Sequence, residues 1–129
     1  MHIEHFAMWV KDIELMKTFF CRYFNATSND KYINSVKQFQ SYFLSFDGGP
    51  RLELMQMPSV PESKDDVYTQ FTGFIHFAVS LGSKEKVDEM TERFRADGFE
   101  VIDGPRTTGD GYYESVILDP EKNRIELTV

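Results

Sequence analysis

Two histidines and two glutamates recur at matched positions in the two halves of this 129-residue chain. His5 begins a His-Phe-Ala triplet that returns at His76, and Glu53 lies in an Arg-Leu-Glu-Leu run that returns as Arg-Ile-Glu-Leu around Glu126. Glu53 follows His5 by 48 residues, and Glu126 follows His76 by 50. Two imidazoles and two carboxylates are enough to hold one divalent metal. Such a mixed set suits Ni²⁺, Co²⁺, Zn²⁺, Mn²⁺ or Fe²⁺, with water in the remaining positions.

Open positions at such a metal indicate catalysis or substrate coordination rather than a structural plug. A glutamate that leaves the metal can take a proton from carbon while the metal stabilises the resulting oxyanion. The alternative is that the histidines are ordinary core or surface residues. Glu53 and Glu126 would then lie on the solvated face of a sheet, opposite the flanking Leu and Ile side chains. The recurrence of both pairs in both halves favours the metal site.

The repeat predicts two copies of one supersecondary unit. Hydrophobic periodicity and turn residues predict a strand, an amphipathic helix and three further strands in each half, in the order βαβββ. The predicted modules are 1–57 and 73–129, joined by a linker over 58–72, and together they form one domain of the α+β class. In each module the first strand carries the histidine and the last strand carries the glutamate.

Several local features are specific enough to check. Asp12 and Ser83 are predicted to cap the two helices. Strands are predicted over 31–36 and 73–80, and a loop rich in Gly and Thr over 103–111. The apolar positions predicted for the helices are Leu15, Met16, Phe19, Phe20 and Tyr23 in the first, and Val87, Met90 and Phe94 in the second.

The composition excludes several classes of partner. The net charge of −7 makes nucleic acid and anionic lipid poor partners. No run approaches the length of a membrane span, and the N-terminus lacks the pattern of a secretory signal. Cys21 is the single cysteine, which fits a reducing compartment. We therefore expect a cytoplasmic protein that binds a small molecule, with no nucleic-acid or membrane partner.

The chain resembles the vicinal oxygen chelate superfamily, which includes glyoxalase I, bleomycin-resistance proteins and extradiol dioxygenases. The resemblance covers essentially the whole chain. It is strongest at His5-Phe6-Ala7 with the following helix, at the Gly-Phe-Ile-His-Phe-Ala-Val run over 73–79, and at the Asp-Pro-Glu-Lys-Asn-Arg-Ile-Glu-Leu run over 119–127. It implies a curved mixed sheet, built from the two βαβββ modules, around a central metal, and a homodimer.

By this resemblance His5, Glu53, His76 and Glu126 fall on the four metal positions of the family. Two His with two Glu is the pattern of glyoxalase I, the lactoylglutathione lyase. That pattern implies an enzyme that isomerises the hemithioacetal of a 2-oxoaldehyde and a thiol, by moving a proton through a metal-bound enediolate. Glu126 is the predicted base, with Glu53 as its partner or alternate. Residues that could contact the substrate are Trp9, Arg22, Arg51, Arg106 and Tyr113.

The resemblance leaves two other functions open. Bleomycin-resistance members sequester a small molecule without chemistry, which needs no metal. Extradiol dioxygenases use Fe²⁺ with two His and one Glu, so Glu53 would be an additional ligand. The cofactor distinguishes the three: Ni, Zn or Co for the lyase, Fe with uptake of O₂ for the dioxygenase, and none for the binding protein, with Mn a further possibility for an enzyme.

Overall fold

The computed structural model describes the whole chain from Met1 to Val129. Its internal contacts divide the chain into two units, Met1–Ser63 (unit 1) and Lys64–Val129 (unit 2). The division falls inside the segment 58–72. Each unit contains one helix and one mixed sheet. The α+β class and the plan of paired βαβββ modules are thereby confirmed.

Unit 1 builds a five-stranded sheet in which the last strand lies in the middle. Its elements are β1 (His5–Trp9), α1 (Ile13–Phe24), β2 (Thr27–Ser28), β3 (Tyr32–Asn34), β4 (Phe39–Ser45) and β5 (Arg51–Gln56). The strands are ordered β1-β5-β4-β2, and β3 also pairs with β4. β1 runs parallel to β5, whereas every other pairing is antiparallel.

Helix α1 begins and ends at the residues that its sequence favours. The Asp12 carboxylate accepts hydrogen bonds from the backbone N–H groups of Glu14 (3.1 Å) and Leu15 (2.9 Å), which satisfies two otherwise unpaired donors. Asn25 ends the helix in the left-handed conformation, with φ 53°. The buried face comprises Ile13, Met16, Phe19, Phe20 and Tyr23. Leu15, predicted for that face, is 47% exposed instead.

Unit 2 repeats the arrangement with four strands. Its elements are β6 (His76–Ser80), α2 (Lys84–Ala96), β7 (Val101–Thr107), β8 (Tyr113–Leu118) and β9 (Arg124–Thr128). The strands are ordered β6-β9-β8-β7, with β6 parallel to β9 and the remaining pairs antiparallel. The last strand is again central, so the first and last strands are neighbours in both units.

Helix α2 covers one face of its sheet through Val87, Thr91 and Phe94, all of which are fully buried. The Ser83 hydroxyl accepts a hydrogen bond from a backbone N–H of the first turn, as predicted. The Thr91 hydroxyl donates to the carbonyl oxygen of Val87 (2.6 Å) and lies 2.6 Å from the hydroxyl of Ser115 on β8. Residue Met90, also predicted for the core, is only half-buried.

Three predicted elements differ from the structure. The strand predicted over 31–36 is confined to Tyr32–Asn34, and the strand predicted over 73–80 begins at His76. The segment 103–111, predicted as a loop, continues strand β7 as far as Thr107, because it pairs with β8 through two irregularities in register. No helix is long and apolar enough to cross a membrane.

Candidate metal and substrate site

The first histidine–glutamate pair lies on neighbouring parallel strands of unit 1. The register of β1 and β5 places Ala7 opposite Glu53, so that His5 and Glu53 project from the same face. His5 Nε2 lies 3.8 Å from Glu53 Oε2. The glutamate side chain is 16% exposed and the histidine 39%. Leu52 and Leu54 are buried on the opposite face, as the alternation of the sequence predicts.

Unit 2 holds an equivalent pair in the same register. Ala78 lies opposite Glu126 across β6 and β9, and His76 Nε2 is 3.3 Å from Glu126 Oε2. The exposed fractions of the two side chains, 38% and 16%, match those of the first pair. The sequence repeat therefore reproduces the geometry of the pair, together with its residue types.

The spacing of the second pair fits two ligands of one divalent metal, and the first pair is wider. Bonds of about 2.1 Å from a metal to nitrogen and oxygen place neighbouring ligand atoms about 3.0 Å apart at right angles, and about 3.4 Å apart in a tetrahedron. The 3.3 Å pair lies within that range, and the 3.8 Å pair would span a wider angle of about 130°. The structure places the four predicted ligands in two pairs, one in each unit, and neither unit contains a cluster of three or more candidate ligands.

His5 is surrounded by three further side chains of unit 1. Its Nδ1 contacts the carboxylate of Glu4, and the ring packs edge-to-face on Phe43 with 5.3 Å between centroids. Arg51 Nε donates to the other carboxylate oxygen of Glu4 (2.7 Å), and its guanidinium lies 4.1 Å from the centre of the Phe43 ring. Hydrogen bonds from His5 and then from Arg51 hold the pKa of Glu4 below its usual value. Arg51 was predicted to contact the substrate. It lies beside the first pair, but its guanidinium is hydrogen-bonded to Glu4.

Trp9 and Arg22 lie in different surroundings. Trp9 shares the face of His5, is 43% exposed, and packs edge-to-face on Phe39 at 6.0 Å between ring centroids. Arg22 lies in the last turn of α1, where its guanidinium is 5.2 Å from the centre of the Tyr23 ring. Because α1 packs on the opposite face of the sheet, Arg22 is separated from the first pair.

A cavity of 420 Å³ adjoins the second pair within unit 2. Six of its seven lining residues have polar side chains, and three of these are carboxylates. The lining residues are Ala78, Thr108, Asp110, Tyr112, Glu114, Glu126 and Thr128. The turn between β7 and β8 forms one wall and is closed by a hydrogen bond from the backbone N–H of Thr108 to the carbonyl oxygen of Tyr112 (2.8 Å). Part of the predicted 103–111 loop therefore does reach the cavity, although most of that segment is strand.

Glu114 is a cavity residue that the sequence reasoning missed. It projects from β8 on the same face as Glu126, and burial together with the charge of Glu126 raises its pKa. Arg106 Nη2 lies 3.6 Å from Glu114 Oε1, and its guanidinium also donates to Asp103 through Nε at 2.8 Å. The sequence did contain a signal for it: a hairpin of β8 and β9 around the turn at 119–123 places Glu114 and Glu126 on one face. Arg106, a predicted substrate contact, therefore lies at the edge of the cavity, because it is beside the lining residue Glu114.

Tyr113, the remaining predicted substrate contact, points away from the cavity. Its hydroxyl donates to Asp88 on α2 (2.7 Å), and Lys84 Nζ lies 5.1 Å from the centre of its ring. The hydrogen bond to Asp88 raises the pKa of Tyr113. Tyr113 therefore contacts the helix, while its neighbours Tyr112 and Glu114 line the cavity.

A profile of the Glyoxalase/Bleomycin resistance protein/Dioxygenase superfamily matches residues 2–127. The chain belongs to this superfamily. The resemblance drawn from the sequence is confirmed. Members of the superfamily bind a divalent metal and small-molecule substrates, and they are commonly dimers. They include glyoxalase I enzymes as well as members without enzymatic activity.

Similar proteins span several roles within the superfamily. The uncharacterized protein YqjT of Bacillus subtilis is 25% identical over 128 residues, which cover 97% of this chain and 96% of YqjT. The trypanothione-dependent glyoxalase I of Leishmania major superposes with a TM-score of 0.78 at 18% identity, covering 99% of this chain and 86% of that one. The fosfomycin resistance protein FosX of Listeria monocytogenes gives 0.71 at 23% identity, covering 98% and 89%. At these identities the two structures establish the fold alone.

Proposed function

We propose that this protein is a metal-dependent lyase or isomerase of the glyoxalase I type, acting on the hemithioacetal of a small 2-oxoaldehyde and a thiol. One observation carries the proposal: a histidine and a glutamate face each other in the same strand register in both units. Their donor atoms are 3.8 and 3.3 Å apart. A binding protein that sequesters a ligand without chemistry would have no need for two such pairs.

His5, Glu53, His76 and Glu126 are the proposed ligands of one divalent metal, with Ni, Zn or Co preferred over Fe or Mn. The metal, when bound, would supply a Lewis acid that stabilises negative charge on a substrate oxygen. Two imidazoles and two carboxylates leave positions open for substrate. We also propose a homodimer, as is common in the superfamily.

Glu126 is the proposed base. It is the carboxylate that pairs with a histidine and also lines the 420 Å³ cavity, where a small substrate would bind. Its side chain is 16% exposed, so that water has limited access to the proton it holds. Glu126 would take the proton from the carbon that bears the thiol adduct and return it to the neighbouring carbon. The hydroxyl proton of the hemithioacetal would pass to the oxygen of that neighbouring carbon, so the product is the isomeric thioester and there is no net oxidation. Glu53 is the partner or alternate base.

Metal analysis combined with turnover of the methylglyoxal–glutathione adduct tests the proposal. We expect one Ni, Co or Zn for each set of four ligands. Glu126→Gln should lower kcat about 10²- to 10⁴-fold, the range for loss of a general base. Glu89→Gln, an exposed position on α2, is the matched control and should retain full activity. Wild-type protein that holds no metal, even after reloading, would refute the lyase and favour a binding protein. Iron, together with uptake of O₂ in the presence of catechols, would favour a dioxygenase.

A further inference from the structure

Glu4 connects the candidate metal ligand His5 to Arg51. One of its carboxylate oxygens contacts His5 Nδ1, and the other accepts a hydrogen bond from Arg51 Nε at 2.7 Å. The strand backbones support this arrangement, because the N–H of Arg51 donates to the carbonyl oxygen of Glu4 at 3.0 Å. The carboxylate therefore has a separate partner for each oxygen.

Phe43 contacts both Arg51 and His5, so that His5, Glu4, Arg51 and Phe43 form a closed circuit of contacts. The guanidinium of Arg51 lies 4.1 Å from the centre of the Phe43 ring, and the same ring packs edge-to-face on His5 at 5.3 Å. His5 is thus held at its Nδ1 edge by Glu4 and on one side by Phe43. Its remaining nitrogen, Nε2, is the atom that faces Glu53.

This arrangement also determines where the imidazole proton lies. An ionised carboxylate accepts hydrogen bonds and donates none, so the contact with Glu4 requires a proton on His5 Nδ1. In the neutral ring, Nε2 then carries the lone pair, which is the form a metal needs. Carboxylates that bond the second nitrogen of a ligand histidine fix the tautomer and orientation of the ring in many metal sites.

The second unit has no such arrangement. Ile75 precedes His76 in the sequence, and Glu126 is the only carboxylate within ion-pair distance of that histidine. Arg124, which occupies the position of Arg51, donates instead to the backbone carbonyl oxygens of Asp66 and Val67. The two histidines therefore differ in how firmly their surroundings orient them.

We propose that Glu4 is a positioning residue: it fixes the Nδ1-protonated tautomer and the orientation of His5, and thereby makes His5 the preorganised ligand of the metal site. The effect on metal affinity rests on the proposed function, whereas the effect on the tautomer does not. Glu4 contacts no substrate in this scheme and acts only through His5.

Three variants of the full-length chain test this role. Glu4→Met removes the acceptor at similar length, and Glu4→Gln retains an amide oxygen that can still accept from Nδ1. Glu62→Met, at an exposed glutamate paired with Lys11 in the same unit, is the control for loss of one negative charge. Far-UV circular dichroism confirms that each variant is folded.

The first measurement is the two-bond ¹H–¹⁵N spectrum of the imidazoles in metal-free protein at about pH 8, where a histidine of ordinary pKa is neutral. His5→Gln assigns the His5 signals among the three histidines. We expect the Nδ1-protonated pattern in wild type and in the Glu62 control, a mixture of both tautomers in Glu4→Met, and partial recovery in Glu4→Gln.

The second measurement is calorimetric titration with Ni²⁺ and Co²⁺. Glu4→Met should weaken binding about 10- to 100-fold, the effect typical of losing such a partner. Glu62→Met should bind as wild type does. An unchanged His5 spectrum and unchanged affinity in Glu4→Met would overturn the inference even if the enzyme turns over its substrate. Wild-type protein that binds no metal would refute the proposed function, and the tautomer spectra would still decide the role of Glu4.

Discussion

Asp119 provides a sharp test of how burial and hydrogen bonding compete in this fold. Its side chain lies in the turn between β8 and β9, where the residue is 2% exposed. Oδ1 accepts hydrogen bonds from the backbone N–H groups of Glu121 (2.8 Å) and Asn123 (3.0 Å), and Oδ2 accepts from Asn123 Nδ2 at 2.9 Å. These bonds favour the charged form, but burial outweighs them and raises the pKa of Asp119 from 3.8 to about 6.

The direction of the pH effect follows from this rise. Below about pH 4 the carboxyl is protonated in both the folded and the unfolded chain, so it contributes no pH dependence there. Between about pH 4 and 6 the unfolded chain ionises while the folded one does not, and the free energy of unfolding falls. A rise of about two pH units corresponds to a total loss of about 3 kcal/mol, which is complete above about pH 6.

Chemical unfolding of wild type and Asp119→Asn between about pH 4 and 7, followed by circular dichroism, measures this loss. The variant does not titrate, so its stability relative to wild type should rise by about 2 to 3 kcal/mol across that range. Asp47→Asn, in the exposed turn before β5, is the matched control and should leave the pH dependence of wild type unchanged. A difference between wild type and Asp119→Asn that is constant with pH, or that shrinks as pH rises, would refute the reasoning.

Three further predictions test backbone space, a buried hydrogen bond and a helix cap within the individual units. Gly104→Ala should cost about 3 kcal/mol, since φ is +74° and a Cβ there would lie 2.5 Å from the carbonyl oxygen of Glu114; a melting temperature equal to that of wild type would contradict this. Thr91→Val should lower the free energy of unfolding by about 1 to 3 kcal/mol. Urea unfolding should show a larger loss for Thr91→Val than for Ser115→Ala, because Thr91 also donates to the backbone of α2. Asp12→Ala should lower stability by about 1 kcal/mol by removing two hydrogen bonds to the first turn of α1; helix content and stability identical to wild type would argue against the cap.

The internal repeat made the fold predictable. It indicated that the first and last strands of each half carry equivalent residues, and the structure pairs those strands in parallel in both units. The alternation of side chains along a strand then predicted which face each residue occupies. The flanking apolar residues are buried, which leaves each glutamate on the other face; they are Leu52, Leu54, Ile125 and Leu127. Helix caps were equally predictable because their hydrogen bonds are local.

Elements that depend on pairing with another strand were less predictable. The Gly104–Pro105 pair is typical of a loop, yet pairing with β8 draws it into β7. The short strand Thr27–Ser28 has no hydrophobic pattern and exists through its pairing with β4. In both segments the deciding contact is with another strand, which the propensity of the segment itself does not predict.

The surroundings of the candidate site show the same limit at the scale of single residues. Tyr113 and Glu114 are adjacent, but successive side chains of a strand project to opposite faces, so the choice between them depends on the register with β9. The sequence likewise predicted that Arg51 could contact a substrate. Its engagement by Glu4 became visible only once β1 and β5 were aligned.

The central position of each last strand has a consequence for the order in which folding can occur. β1 pairs only with β5, and β6 only with β9, so each first strand stays without a partner until the end of its own unit has been synthesised. Helices α1 and α2 can form early from local contacts, whereas closing the parallel pair requires a loop of more than 40 residues and should be a late and slow step. The histidine and glutamate of each pair meet only in that step. A unit whose first and last strands have not yet paired therefore presents no histidine–glutamate pair, and metal uptake would report completion of the sheets rather than assist their assembly.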